Sequence, residues 1–418
     1  MLKSDAQILY NRFFLKNLLP LAASFSVAPR LLFATFLGGM LLSAGWSQAQ
    51  KGDATQLEFV KGISWGWVGK RGEYDSPAAA VSMQKLAETG STWVCIAFST
   101  TMASPHDPEF AWGDENHAMA TDFELRHAID LARANGLKVI LKPVVNCADG
   151  TWRAWIRFFR PVTAAERAAG ITGELDPWGG DPRQRDGEVQ DIEKWERWWA
   201  NYSGFIQHYA EIAQEQEVEI FCLGCEMNSA EKFEDQWRKM IAEVREVYHG
   251  VLTYNINHGR EKDLVWLDAV DVIGLSAYYQ VPPPSGVSLE EATEETTPIE
   301  QIREELRRVK DELAAVSQKW QKPILFIETG VTNVRGCARY PWSHPGKKLN
   351  SPLDQEEQAN YYQAFFEVFW HEPWFQGFAW WDWPAKLYDE ADAATDRGFC
   401  IYGKQAEAVL KEWYAKPR

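Results

Sequence analysis

A chain of 418 residues, 46% hydrophobic and 24% charged, has the make-up of folded globular protein, with room for one large domain or two medium ones. Its 59 acidic against 43 basic side chains leave a net charge of −16, which argues against a nucleic-acid binder or a protein held to anionic lipid and favours a neutral or cationic ligand. The 21 tryptophans are the compositional anomaly, to be divided between core packing and ligand contact.

In chain order, Lys3, Arg12, Lys16 and Arg30 precede the apolar run Leu31 to Ala44, and the small-residue site Ser47-Gln48-Ala49 follows. This order reads as a secretory signal over residues 1–49, leaving 50–418 as the working domain. The run is shorter than the roughly 20 residues of a spanning helix. The expectation is therefore export to the periplasm or beyond, without stable membrane association after cleavage; an uncleaved anchor is the alternative. Cleavage removes four basic residues and one acidic, so the remainder is more acidic still.

Short apolar runs then recur as buried strands: 59–65, 93–98, 138–144, 218–224, 251–255, 272–277, 324–329 and 377–382. Amphipathic stretches alternate with them at 76–88, 122–135, 193–214, 231–248, 298–320, 354–370 and 405–414. Strands buried on both faces with helices between them predict a parallel sheet, and eight units predict an α/β fold of the (β/α)8 TIM-barrel type, one domain with long loops after the strands. No G-x-G-x-x-G or P-loop is present. The low-complexity stretch Pro282–Thr297 reads as a mobile loop. Of six cysteines, Cys222 and Cys225 imitate C-x-x-C but lie in the strand-like run VEIFCLGC with no second pair, and so read as small buried hydrophobes.

Such a barrel builds its site at the C-terminal ends of the strands. Those ends offer Trp65, Lys142, Asn146, Glu226, Asn255, His258, Tyr278, Glu328, Trp380 and Trp381, with Trp152 in the third loop. Glu226 and Glu328 each close an apolar run, where a carboxylate is costly unless paired or used. Either alone reads equally as a structural ion pair; two, on strands four and seven, suit hydrolysis of a glycosidic bond, in which one carboxyl protonates the leaving oxygen and the other attacks. Trp65, Trp67, Trp152, Trp178, Trp342, Trp380, Trp381 and Trp383, at strand ends and in loops, are candidates to stack on sugar rings, whereas Trp198, Trp199, Trp237, Trp320 and Trp413 read as helix packing. Lys142 inside the barrel needs a substrate or carboxylate partner; Asn255 and His258 are open between binding and packing. His106, His117 and His344 have no ligand spacing, so neither metal nor cofactor is expected.

This layout resembles the clan A glycoside hydrolases. The stretches KGISWGWVGKRGEY, KVILKPVVNCADGTWRAWI, IFCLGCEMNS, DVIGLSAYY, PILFIETGV and GFAWWDWP, spread over residues 61–384, resemble glycoside hydrolase family 113, whose known members include β-1,4-mannanases. The resemblance implies a retaining hydrolase of β-1,4-mannosidic bonds, with Glu226 as general acid/base and Glu328 as nucleophile. It also implies that Tyr278 holds the nucleophile and that Trp381 floors the reacting-sugar subsite. One position departs: Cys225 stands where the clan usually has Asn. The partner expected is a β-linked polysaccharide or oligosaccharide. Rival readings are an exo-acting β-glycosidase, a hydrolase of another β-1,4-linked glycan, and a barrel that binds glycan without cutting it.

Overall fold

The computed structural model describes residues 57–174, 185–343 and 350–418. The signal reading, Trp178 and His344 fall outside the described residues. Eight parallel strands close into a barrel: β1 (Val60–Trp65), β2 (Trp93–Met102), β3 (Lys138–Cys147), β4 (Ile220–Cys225), β5 (Val251–Asn257), β6 (Val272–Ser276), β7 (Ile324–Thr329) and β8 (Phe375–Trp383). Each pairs with the next in sequence, and β8 closes on β1. Seven helices wrap it: α1 (Pro77–Ala87), α2 (Asp122–Ala134), α3 (Ile192–Glu215), α4 (Glu234–Val247), α5 (Ile299–Trp320), α6 (Gln355–Phe369) and α7 (Gln405–Tyr414). Between β5 and β6 the connection carries only the 3-10 turn Leu267–Ala269. All eight expected strands and all seven expected helices are present.

Helix starts follow from local chemistry. Ser76 caps α1 ahead of Pro77, and Thr121 with Glu124 forms a reciprocal capping box on α2. Side-chain alternation along the strands divides the core in two. Val60, Cys95, Ile140, Cys222, Ile327 and Ala379 fill the barrel, while Ile96, Leu141, Phe221, Phe326, Phe378 and Trp380 face the helices. Above the filled interior a third, smaller cluster gathers Ala97, Tyr278, Trp381 and Phe399, with Trp67 against it.

The strands β2 and β3 run on beyond the expected ends, paired through ten positions from Trp93 with Lys138 to Met102 with Cys147. The long loop after β3 has structure of its own: the short helix Ala164–Ala168 and two antiparallel pairs, Phe159–Pro161 with Glu188–Gln190 and Gly173–Glu174 with Arg185–Asp186. Pro282–Thr297, expected to be mobile, holds a 3-10 turn at Glu291–Thr293 and is tied down: Thr296 donates to Asp354 at 2.5 Å and Arg335 to the Glu294 carbonyl at 3.2 Å. All six cysteines are buried, and no disulfide joins them. Among the described residues, no helix is long and apolar enough to cross a membrane, and no three His, Cys, Asp or Glu side chains could share a metal ion.

Candidate active site

The pairing of β4 with β5 slips between Cys222 and Cys225, and the chain then turns into the barrel mouth. Glu226 sits just past the slip in the left-handed region, φ 53°, its N–H donating to the Asn255 carbonyl at 2.8 Å. An L-residue there costs about 1–2 kcal/mol, a strain spent on aiming a carboxylate rather than on packing. On the other side, β7 slips against β8 between Phe326 and Thr329, which brings Glu328 inward. Both carboxylates are buried at the same end of the barrel, 6% exposed each.

Glu328 is surrounded by donors. The Lys142 ammonium lies 2.5 Å from Oε2, Asn255 Nδ2 donates to the same oxygen at 3.3 Å, and the Tyr278 hydroxyl donates to Oε1 at 2.9 Å. Burial alone would raise this carboxyl, but the Lys142 and Arg153 charges outweigh it and hold Glu328 below the usual carboxylate range. Burial pulls fully enclosed Lys142 down in turn, Glu328 is the largest influence opposing it, and on balance the lysine lies above its ordinary value.

Glu226 has a separate pair of donors, both on Oε2: Arg153 Nη2 at 2.7 Å and the Trp152 indole N–H at 3.1 Å. Arg153 also reaches the Cys225 carbonyl and sulfur, each at 3.1 Å, and Asn146 Oδ1 at 3.0 Å. Cys225 thus lies between the two groups, its sulfur 3.1 Å from Asn255 Nδ2 and 3.9 Å from Glu328 Oε2. Burial pushes its thiol up to about 12, so it stays neutral between the charges. Trp381 covers the Lys142 side, 5.1 Å from the ammonium to the ring centre, with Trp67 edge-on at 5.2 Å. Asp382 follows it, and burial together with Asp396 and Glu328 raises its carboxyl to about 7.

Of the residues singled out from sequence, Glu226, Glu328, Lys142, Trp152, Asn255, Tyr278 and Trp381 come together here. Trp65, Trp380 and His258 do not. Trp65 is fully enclosed on the helix side of β1, bonded to Ser82 of α1 at 3.0 Å. Trp380 points outward from β8 and stacks on Tyr362 of α6 at 3.8 Å. Strand parity decides both, since Ala379 and Trp381 take the inward positions on either side of Trp380. His258 stacks on Trp342 at 5.5 Å beside a separate cavity of about 290 Å³, and burial lowers it to about 4. Arg153 and Phe399 were not anticipated. That a buried Glu226 needs a partner was legible; that the next turn of the third loop supplies it was not.

The model of Glycoside Hydrolase Family 113 matches residues 63–169 and 177–404. Among solved structures the chain is similar to the GH113 β-mannanase AaManA from Alicyclobacillus acidocaldarius in complex with ManMIm, at 37% identity and TM-score 0.70 over 87% of this chain and 99% of that one. It is also similar to a GH113 β-1,4-mannanase solved as a complex, at 34% identity and TM-score 0.69 over 86% and 100%. A family 5 mannosidase from Rhizomucor miehei, 11% identical with TM-score 0.50, shares the fold alone. No curated protein matches the chain. With a family match over most of its length and relatives more than a third identical throughout, the chain belongs to glycoside hydrolase family 113.

Proposed function

We propose that the protein is a retaining endo-β-1,4-mannanase in which Glu328 is the nucleophile and Glu226 the general acid/base. The observation that carries the assignment is the asymmetry of the two carboxylates. Lys142, Asn255 and Tyr278 keep Glu328 ionised, as attack requires. The donors on Glu226 occupy Oε2, which leaves Oε1 to exchange a proton.

In the first step a Glu328 oxygen bonds to the anomeric carbon as the glycosidic bond breaks, and the leaving oxygen takes the proton of Glu226. In the second, water bonds to that carbon and gives its proton to Glu226, and the ester to Glu328 breaks. Two inversions return the β configuration. Mannan as substrate rests on the activity named for the two relatives, and the chain's acidity favours a neutral glycan. Export under a signal over residues 1–49 is part of the proposal; the mature product is expected to begin at Gln50, and recovery of Met1 would refute it.

Release of reducing sugar from mannan, with little from glucan or xylan, tests the substrate, and the spread of product lengths separates endo from exo action. The roles separate on an activated aryl mannoside, whose leaving group needs no proton. Glu226→Ala should still be glycosylated by it, with azide restoring turnover and giving the β-azide. Glu328→Ala should be inactive on both substrate types, any azide product being α. The reverse pattern would swap the roles, and α product appearing first from wild type would end the retaining mechanism.

A further inference from the structure

Two aromatic groups flank the carboxylates, and they are tied to different ones. Trp381 lies with Tyr278 and Phe399 over Lys142 and Glu328. Trp152 and Trp155 sit on the Glu226 side, ring to ring at 6.0 Å, with Trp152 donating to Glu226. A glycosidic oxygen facing its acid carries the reacting sugar on the nucleophile's side and the leaving sugar on the other. We propose that Trp155 is the platform on which the leaving sugar stacks. The assignment rests on the mannanase reading and extends it to the far half of the cleft.

Three further observations support it. Trp155 is 39% exposed, whereas most of the described tryptophans are buried. Of the described tryptophans, only Trp342 is as open, and it lies against His258 at a cavity whose lining holds neither carboxylate. The Trp155 backbone is also fixed, since Ala154 and Ile156 on either side are fully buried. Ser229 ties both down, its N–H donating to the Ala154 carbonyl at 3.2 Å and its hydroxyl to that of Ile156. Because Ser229 lies three residues past Glu226, the ring is held in register with the acid/base. A rigid amphipathic ring presented to solvent beside a buried polar site is how a flat, hydroxyl-edged ligand is caught.

The test is a partition ratio, which does not depend on how much variant folds. β-Mannobiosyl fluoride loads the enzyme through a leaving ion that has no face to stack. The glycosyl-enzyme then divides between water and added mannobiose, which must occupy the leaving-sugar position. Trp155→Ala should lower the ratio of transfer to hydrolysis about tenfold, and kcat/KM on mannotetraose relative to the fluoride by a similar factor, the scale of one lost stacking contact. Trp155→Phe should recover most of both. An unchanged ratio in Trp155→Ala would overturn the assignment, as would equal losses on the fluoride and mannotetraose. A wild type inert towards both substrates would overturn the mannanase reading and this assignment with it.

Discussion

Lys142 is what makes a buried Glu328 tolerable, and the pair defines a pH prediction. With Lys142→Met, burial of Glu328 is less opposed and its pKa rises, because the nearest opposite charge is gone. Attack needs the ionised form, so the acidic limb of kcat/KM should move to higher pH. Stability follows the same sign. The depressed Glu328 contributes stability above its unfolded value that is lost as pH falls through the folded one, and the variant should lack that contribution while carrying an unpaired buried charge. The pH–rate profile checks this, and an unmoved acidic limb would refute it. Lysine at this point was legible because an ammonium inside a barrel must find an anion. Trp65 and Trp380 were misread because their residue type was given more weight than their strand parity. Arg153 was missed because its reach depends on the 3-10 turn Arg153–Trp155, which no periodicity announces.

At the level of elements, strands and helices could be read because burial leaves a period of two or of 3.6 over many residues. The two- and three-residue pairs in the third loop are too short to carry a period, and the end of β2 extends through the polar run Ser99-Thr100-Thr101. The slip in β4 was also hidden, although it aims Glu226. It depends on Gly224, where an added Cβ would lie 2.2 Å from the Tyr202 hydroxyl of α3, itself bonded to the Leu223 carbonyl at 2.8 Å. Gly224→Ala should therefore force helix and strand apart, at a cost of about 1–3 kcal/mol for overpacking. Activity should fall further than stability, because Glu226 moves with the strand. Adding Tyr202→Phe removes the clashing oxygen, so the double variant should melt above Gly224→Ala alone despite losing a hydrogen bond. Additive losses in thermal melts would show that the contact is not the cause.

Over the whole molecule, the least expected feature of a chain read as exported is six cysteines without a disulfide. Each thiol is accounted for by position. Cys95 and Cys222 are interior filling of the barrel, Cys225 is held among Arg153, Asn255 and Glu328, and Cys147, Cys337 and Cys400 belong to the cluster outside the barrel strands. Burial raises Cys95 to about 11 and Cys147, Cys225 and Cys400 to about 12, so at neutral pH almost none of the reactive thiolate exists. Protection is therefore both steric and electrostatic, and it depends on the barrel staying closed. A thiol reagent such as Ellman's should find essentially no reactive groups in the native protein near neutral pH and all six after denaturation. A reductant should leave the melting temperature where it was, since no covalent link is there to cut. Fewer than six thiols in the denatured, unreduced protein would mean that a disulfide forms. Fast native labelling of even one would mean that the layer around it opens well below the global transition.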